Sequence, residues 1–581
     1  MLVLSVAAAA TVELAREVFP VHEKVSVQLV VTVGPEGLDP GDVLTVDEPI
    51  FHGMRWAKWG YLQTDSTRCS PLSEDTDRAS AGLVRARAEG LELEVRHSVD
   101  GPGIHQEGQV QVEVLTGTLN EGDTLLVELG VQEGDCGWQT SDRALDRIPL
   151  VVELNGAAVG SPELRFAARA ELSERWVVLP SQAQVGQTVV LHTVDVDRYG
   201  NALEVSRQPV SFDVPGIHRM DGSNAIRVTL DPPAESVYWG DLHTHHGHSY
   251  YADDQSWFDA NHAYSRDAMA YDFGCESAKA YPTELHYDDL WDRMQRSCAT
   301  WTDQGYVALL GFEWMGGGAQ GHHNVYYPSC DGELAPQALS DVDELLDWMP
   351  EGTVAIPHAP AYTGFNWETR DSELRPLVEV YSEWGSSMNP SDPGSVPEAL
   401  VRGQKLGFIA SSDNHDGWLG NRLASKNAAG GLAAIRAPSL SGPALVAAMR
   451  ARQTYATTGA RILLELSMKP LGRDTVVSWE AYGTDLVREV HLVSSTVAGQ
   501  AGVVLQTWYP GTLDATGQAT IPWGPADLAV WLEVGQTDRQ QAWSSPLYIE
   551  REDIEPKGCS SLPISAGALL LAAIGLVRWR S

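Results

Sequence analysis

Cysteine is scarce in this chain: there are six in 581 residues. No spacing among them matches a zinc-thiolate knuckle, which excludes that kind of metal site. Cys69 with Cys136 and Cys298 with Cys330 are the candidate disulfides of a protein in an oxidising compartment, while Cys275 has no obvious partner. Basic residues are also few. Against 78 Asp and Glu stand 40 Lys and Arg, a net charge of -38 with a pI near 4.7. Such a surface repels nucleic-acid phosphates and anionic lipid alike, which argues against a nucleic-acid-binding role. It suits an exported protein that has to stay soluble. Internal repeats and low-complexity tracts are absent.

At 581 residues the chain is too long for one core. Residues 1–10 read as the apolar and small-residue part of a signal peptide whose basic start is missing. From 11 to 146, alternating strands such as Val25 to Val33 and turn signals such as Gly34-Pro35-Glu36-Gly37 predict a β-sandwich. A second, immunoglobulin-like β module is expected over 147–235, with a turn at Asp197 to Asn201. Residues 461–549 return to β rhythm as a C-terminal sandwich, and 550–561 form a charged stalk. Leu562 to Val577 is almost wholly apolar and ends in Arg578-Trp579-Arg580, the order of a transmembrane segment with its basic end inside. Cys559, that apolar segment and the Arg-rich end together resemble the sorting tails of myxobacterial surface proteins. The resemblance implies sorting machinery as a partner, processing near Cys559 and anchorage in the cell envelope.

Residues 236–460 differ in character. Strand-like runs alternate there with helical patterns over Ser256 to Tyr271, Glu284 to Ala299, Asp341 to Met349 and Gly442 to Arg452, the order of an α/β fold with a β/α barrel. Ten of the 17 His lie between 236 and 425. Asp241-Leu242-His243-Thr244-His245 follows an apolar lead-in, so His243 and His245 are expected on one side of a strand end, spaced to grip one cation. Four further apolar runs adjoin residues that ligate metals: Glu313; His322, His323 and Asn324; His358; and Asp413, Asn414 and His415. His246 and His248 are within reach of the same point, His248 the stronger candidate, whereas His262 and His286 read as surface residues of helices. Imidazole mixed with carboxylate and no thiolate suits zinc, manganese or iron. Asp241 and Glu383 are the candidate acceptors for the second ring nitrogens of ligating His. Glu379, Tyr381 and Glu383 fall on one side of Val378 to Gly385 if that run is a strand, or in solvent if it is a loop.

These blocks, in this order and spacing, resemble the DUF3604 family, which is similar to the PHP (polymerase and histidinol phosphatase) metallohydrolases. The resemblance implies a distorted seven-stranded PHP-like (β/α) barrel with one to three divalent metals at the strand ends, and phosphoester hydrolysis by metal-activated water. It makes His243, His245, Glu313 and Asp413 the ligands of a first metal, with Glu313 bridging to a second. His358, with His322 or His323, completes the cluster, and His415 closes it. One block departs from the family: in Gly274 to Lys279, Lys279 stands where a His is expected. An ammonium cannot ligate a metal, but it can hold an anionic substrate. The expected catalytic residues are therefore Asp413, Lys279 and Glu383, acting on a small-molecule or polymer substrate. The competing expectation is a non-catalytic surface binding protein built on a degenerate barrel.

Overall fold

The computed structural model describes residues 10–47, 51–52, 62–63, 82–100, 107–131, 137–140, 144–245, 248–249, 256–280, 287–302, 305–316, 318–336, 338–368, 373–414, 418–420, 429–524 and 526–550. The signal-peptide and tail readings, Cys69, Cys136, His246, His286 and His415 lie outside them. Among the described residues no helix is long and apolar enough to cross a membrane. The chain is β-rich, with few and mostly short helices.

Near the N-terminus, the buried alternation of Val27–Thr32 puts Val27, Leu29 and Val31 on one face. That strand lies in a five-stranded sheet with Thr11–Leu14, Thr124–Leu129, Gly82–Arg87 and Leu62–Gln63. A second five-stranded sheet joins Ala157–Gly160, Val152–Leu154, Val43–Asp47, Glu107–Thr116 and Glu92–Asp100. Val27, Leu29 and Val31 of the first sheet share one apolar cluster with Leu44, Val46, Val110 and Val112 of the second. Farther along the chain, Glu174–Val178, Val189–Val196 and Ala202–Val210 form an antiparallel sheet. The turn at Asp197 is fixed by its own carboxylate, which accepts the backbone N–H groups of Tyr199 and Asn201.

The central sheet carries the expected site. Ser236–Asp241, Phe273–Ala280 and Val307–Met315 run parallel, and His322–Tyr327 turns back antiparallel to both neighbours. Val354–His358, Leu377–Ser382 and Gly407–Ala410 are again parallel to one another. Leu432–Ala437 pairs antiparallel with the first strand, Ser236–Asp241, so the sheet curls round toward itself. Two features depart from the expected barrel. A hairpin, not a helix, joins Val307–Met315 to His322–Tyr327. Among the described residues no extended ladder closes the ring: the continuations of Gly407–Ala410 and Ser236–Asp241 meet through the single parallel bridge between Thr244 and Asn414. The physical reason is local: after Ala410 the backbone leaves the sheet and crosses to the first strand end, where Asp413 N–H donates to His243 O and His245 N–H donates to Asn414 O.

Steps of two residues along these strands explain what the sheet encloses. Cys275, Leu309, Tyr326, Ile356, Leu377 and Ile409 belong to one buried apolar cluster, covered by Leu445, Val446 and Met449 of the helix Gly442–Arg450. On the same faces, nearer the other end, stand Lys279, Glu313, Asn324, His358, Glu379 and, past the strand, Asp413. The interior is an apolar plug at one end and a polar cluster at the other.

Helices are present at the four expected places. Ser256–Ala263 continues as a π-helical turn over Tyr264–Ala268, and Tyr287–Trp301, Val342–Trp348 and Gly442–Arg450 follow. Asp341 caps the helix Val342–Trp348 by accepting the N–H of Glu344. Cys298 and Cys330 are disulfide-bonded.

Candidate metal centre

His243 and His245 follow the end of Ser236–Asp241, and both are buried. Their Nε2 atoms lie 3.1 Å apart. Asp413 Oδ1 lies 3.1 Å from His245 Nε2 and 3.4 Å from His243 Nε2. Glu313, near the end of its strand, places Oε2 3.3 Å from His245 Nε2, while its Oε1 is 2.8 Å from both His322 Nδ1 and His358 Nε2. His358 Nδ1 is 3.4 Å from Asp413 Oδ2. Ligand atoms about 2.0–2.1 Å from one tetrahedral ion are separated by about 3.3 Å, so several of these distances fit a shared cation.

Three overlapping groups could each hold an ion: His243, His358, Glu379 and Asp413; His243, His245 and Glu313; and Glu313, His322 and His358. Each pair of groups shares one residue. Glu313 Oε2 and Glu379 Oε1 are buried without a hydrogen-bond partner among the described residues. Such atoms are costly unless something satisfies them, and a cation at the convergence point would do so.

The charges here are set by neighbours as much as by burial. Burial and the Lys279 ammonium lower His245 to about 3. Burial also acts to lower His358, but hydrogen bonds and charge from Asp413 and Glu313 carry it up to about 10. Asp413 is held well below the ordinary carboxylate range despite burial, by His243, His245 and His358. Glu313 is held there too, against burial, by Lys279 and His245 first.

The structure brings together His243, His245, Glu313, His322, His358 and Asp413 from the sequence-derived set. His323 does not join them. It lies on the opposite face of its strand, against the Trp314 ring and 3.4 Å from Arg375 Nη1. His248 pairs through its backbone with His52, and its side chain, like all of His415, lies outside the described residues. Lys279 Nζ is 4.0 Å from Glu313 Oε2, at the edge of the cluster. Glu383 is buried in the turn after Leu377–Ser382, where its N–H donates to Ser412 O, and it is not in any of the three ligand groups.

Several expectations about supporting residues are corrected. Among the described residues Asp241 reaches no imidazole ring: its carboxylate accepts from Thr244 Oγ1, from the N–H groups of His243, Ser412 and Gly420, and from the Ser412 hydroxyl. It ties the His243 and Asp413 segments together. The acceptor for His243 is Glu379, whose Oε2 is 3.1 Å from Nδ1. The alternation expected over Glu379, Tyr381 and Glu383 breaks at a register shift between Glu379 and Tyr381, and Tyr381 stacks on Trp543 instead. His262 is not a surface residue; it is buried with Nδ1 3.1 Å from the Tyr306 hydroxyl.

No protein-family model matches the chain. Its relatives include three proteins described as uncharacterized. One, from Chlamydia pneumoniae, is 25% identical over 407 residues, 58% of this chain and 63% of that protein. The proteins of Chlamydia trachomatis and Chlamydia muridarum are 24% and 25% identical over the same shares. The match thus spans less than two thirds of these relatives' length. A two-domain protein from Bacteroides vulgatus, described as containing a predicted PHP-like metal-dependent phosphoesterase, aligns over 55% of this chain and 97% of its own at 16% identity, with a TM-score of 0.29. A β-D-mannosidase from Dictyoglomus thermophilum aligns over 90% of this chain and 82% of its own at 8% identity, with a TM-score of 0.14. Neither score carries weight for fold or activity.

Proposed function

We propose that the chain is a divalent-metal-dependent hydrolase of the DUF3604 and PHP kind, acting on phosphoesters. The observation that carries this reading is the triangle of ligand groups around His243, Glu313 and His358, each shared by two groups. His243, His245, Glu313, His322, His358, Glu379 and Asp413 would hold the ions, and the mixed nitrogen and oxygen donors suit zinc, manganese or iron. Ions of this class supply a nucleophilic water near neutral pH and neutralise charge on a phosphoryl group. Lys279 adds a cation at the rim for an anionic substrate, which supports phosphoesters over neutral esters.

Export to the cell envelope, with anchoring or processing at the C-terminal tail, belongs to the same proposal. The Cys298–Cys330 disulfide supports it, since such bonds persist in oxidising compartments. The same Lys279 favours a second reading, a non-catalytic binding protein in which the ammonium replaces a cation.

Elemental analysis of the purified protein, beside His243→Ala and Asp413→Ala, separates the two. Two or more equivalents of transition metal, lost in both variants together with p-nitrophenyl phosphate hydrolysis, are expected of the hydrolase. Folded protein that stays metal-free after reconstitution would overturn it.

A further inference from the structure

The strand His322–Tyr327 carries a residue that the metal ligands leave unused. Asn324 is fully buried, and neither its amide nitrogen nor its amide oxygen has a hydrogen-bond partner among the described residues. Folded proteins leave few such groups, because a buried carboxamide without a partner gives up hydrogen bonds to bulk water and regains none.

Strand pairing fixes where Asn324 points. It stands directly opposite Glu313 on one side and Ile356 on the other, and Glu313 is in turn opposite Lys279. Directly opposed residues share a face, and the Glu313 side chain faces the His cluster. Lys279, Glu313 and Asn324 therefore form a row across three adjacent strands, with steps of about 5 Å. Positions two residues away agree: His322 contacts Glu313, and the Tyr326 hydroxyl donates to Leu242 O in the interior. The side chains of Lys279 and His322 are each 19% exposed, so the row opens toward solvent at its rim.

The row's chemistry defines what it would hold. Lys279 offers positive charge without direction, whereas Asn324 offers one fixed donor edge and one fixed acceptor. A ligand that satisfies both ends of the amide needs an oxygen that accepts and an O–H that donates. Hydrogen phosphate and a singly protonated phosphomonoester have both on one group. A phosphodiester anion or sulfate has only acceptors.

Resting on the phosphoesterase reading above, we infer that Asn324 is a substrate-contacting residue that selects phosphomonoesters over diesters. Its Nδ2–H donates to one phosphoryl oxygen and its Oδ1 accepts from the protonated one, while Lys279 neutralises the anion beside Glu313.

The test is a calorimetric titration of the metal-reconstituted full chain with inorganic phosphate, and with sulfate as control, for the wild type, Asn324→Leu and Asn324→Ser. Phosphate should bind the wild type and bind Asn324→Leu about ten- to a hundredfold more weakly. The Leu variant should keep its metal content and stay folded, since an apolar side chain of similar volume replaces a buried amide that has no protein hydrogen-bond partner among the described residues. Asn324→Ser, which keeps a donor and an acceptor, should be intermediate and serves if the Leu variant fails to fold. Equal phosphate affinity in the wild type and a folded variant overturns the proposal, as does wild-type protein that binds sulfate as well as phosphate. Metal content, read on the same samples, separates this outcome from failure of the hydrolase reading: a metal-free wild type sinks that reading and this inference with it, whereas metal-loaded protein whose phosphate affinity is unchanged in a folded Asn324 variant sinks the role of Asn324 alone.

Discussion

Glu379 Oε2 lies 3.1 Å from His243 Nδ1, and both side chains are buried. The carboxylate accepts the proton on Nδ1, which leaves the lone pair of Nε2 directed at the cluster. Glu379→Gln keeps the size but can present its NH2 group to that nitrogen. Metal affinity should fall about 10- to 100-fold with little change in secondary structure. Competition with a chromophoric chelator measures it, and unchanged affinity would remove Glu379 from the site.

The adjacent residues His322 and His323 should behave differently. His322 contacts Glu313 in the cluster, while His323 packs behind the sheet beside Trp314 and Arg375. His322→Ala should lower the metal stoichiometry and spare the melting temperature. His323→Ala should cost about 2 kcal/mol of stability and leave the stoichiometry intact. The opposite pattern in elemental analysis and thermal melts would reverse the assigned faces.

The bond between Cys298 and Cys330 closes a loop with a sequence separation of 32, tying the helix Tyr287–Trp301 to the segment after His322–Tyr327. For a loop of that length, chain entropy predicts about 3–4 kcal/mol. Cys330→Ser should lower the melting temperature, and a reductant should do the same to the wild type but not to the variant. Equal reductant sensitivity in the two would place the stabilising bond elsewhere.

A pH effect is expected at Asp267, which belongs to none of the three ligand groups. Burial raises its carboxyl pKa, but hydrogen bonds from Arg266 and Arg207 outweigh this and bring it below the ordinary value. A depressed folded pKa gives stability that is present above the unfolded value, about 3.9, and is lost as pH falls through the folded one. Asp267→Asn should therefore melt lower than the wild type at pH 7, and the gap should close in strongly acidic buffer. The side chain is 34% exposed, so the effect stays below about 1 kcal/mol. A gap independent of pH would assign the loss to packing.

The cluster was legible in sequence where an apolar run ends in a ligand residue, because such runs are buried strands and their ends converge. His243, His245, Glu313, His358 and Asp413 all follow that rule. Glu379 follows it too, in Val378-Glu379-Val380, but its partner His243 is 136 positions away. Without that partner, a buried carboxylate reads the same as a solvated one. The His322-His323 doublet was ambiguous for a related reason: which of the two faces inward depends on register with Val307–Met315, a long-range fact. Asp241 looked like a ring acceptor from its nearness to His243, and only the fold brings Ser412 and Gly420 to it. Curling of the central sheet depends on pairing between its first strand and Leu432–Ala437, which local periodicity does not encode.

The sheet also continues past residue 460. Thr454–Thr457 pairs with Leu432–Ala437 on one edge and with Gln541–Ser544 on the other, and the Tyr548 hydroxyl donates to Leu406 O. A fragment cut after residue 460 would expose the edge of Thr454–Thr457 as a row of unpaired amides, inviting aggregation. The candidate metal centre and the C-terminal sheet thus form a single cassette for expression or recombination, and any truncated form has to run through Leu547–Ile549.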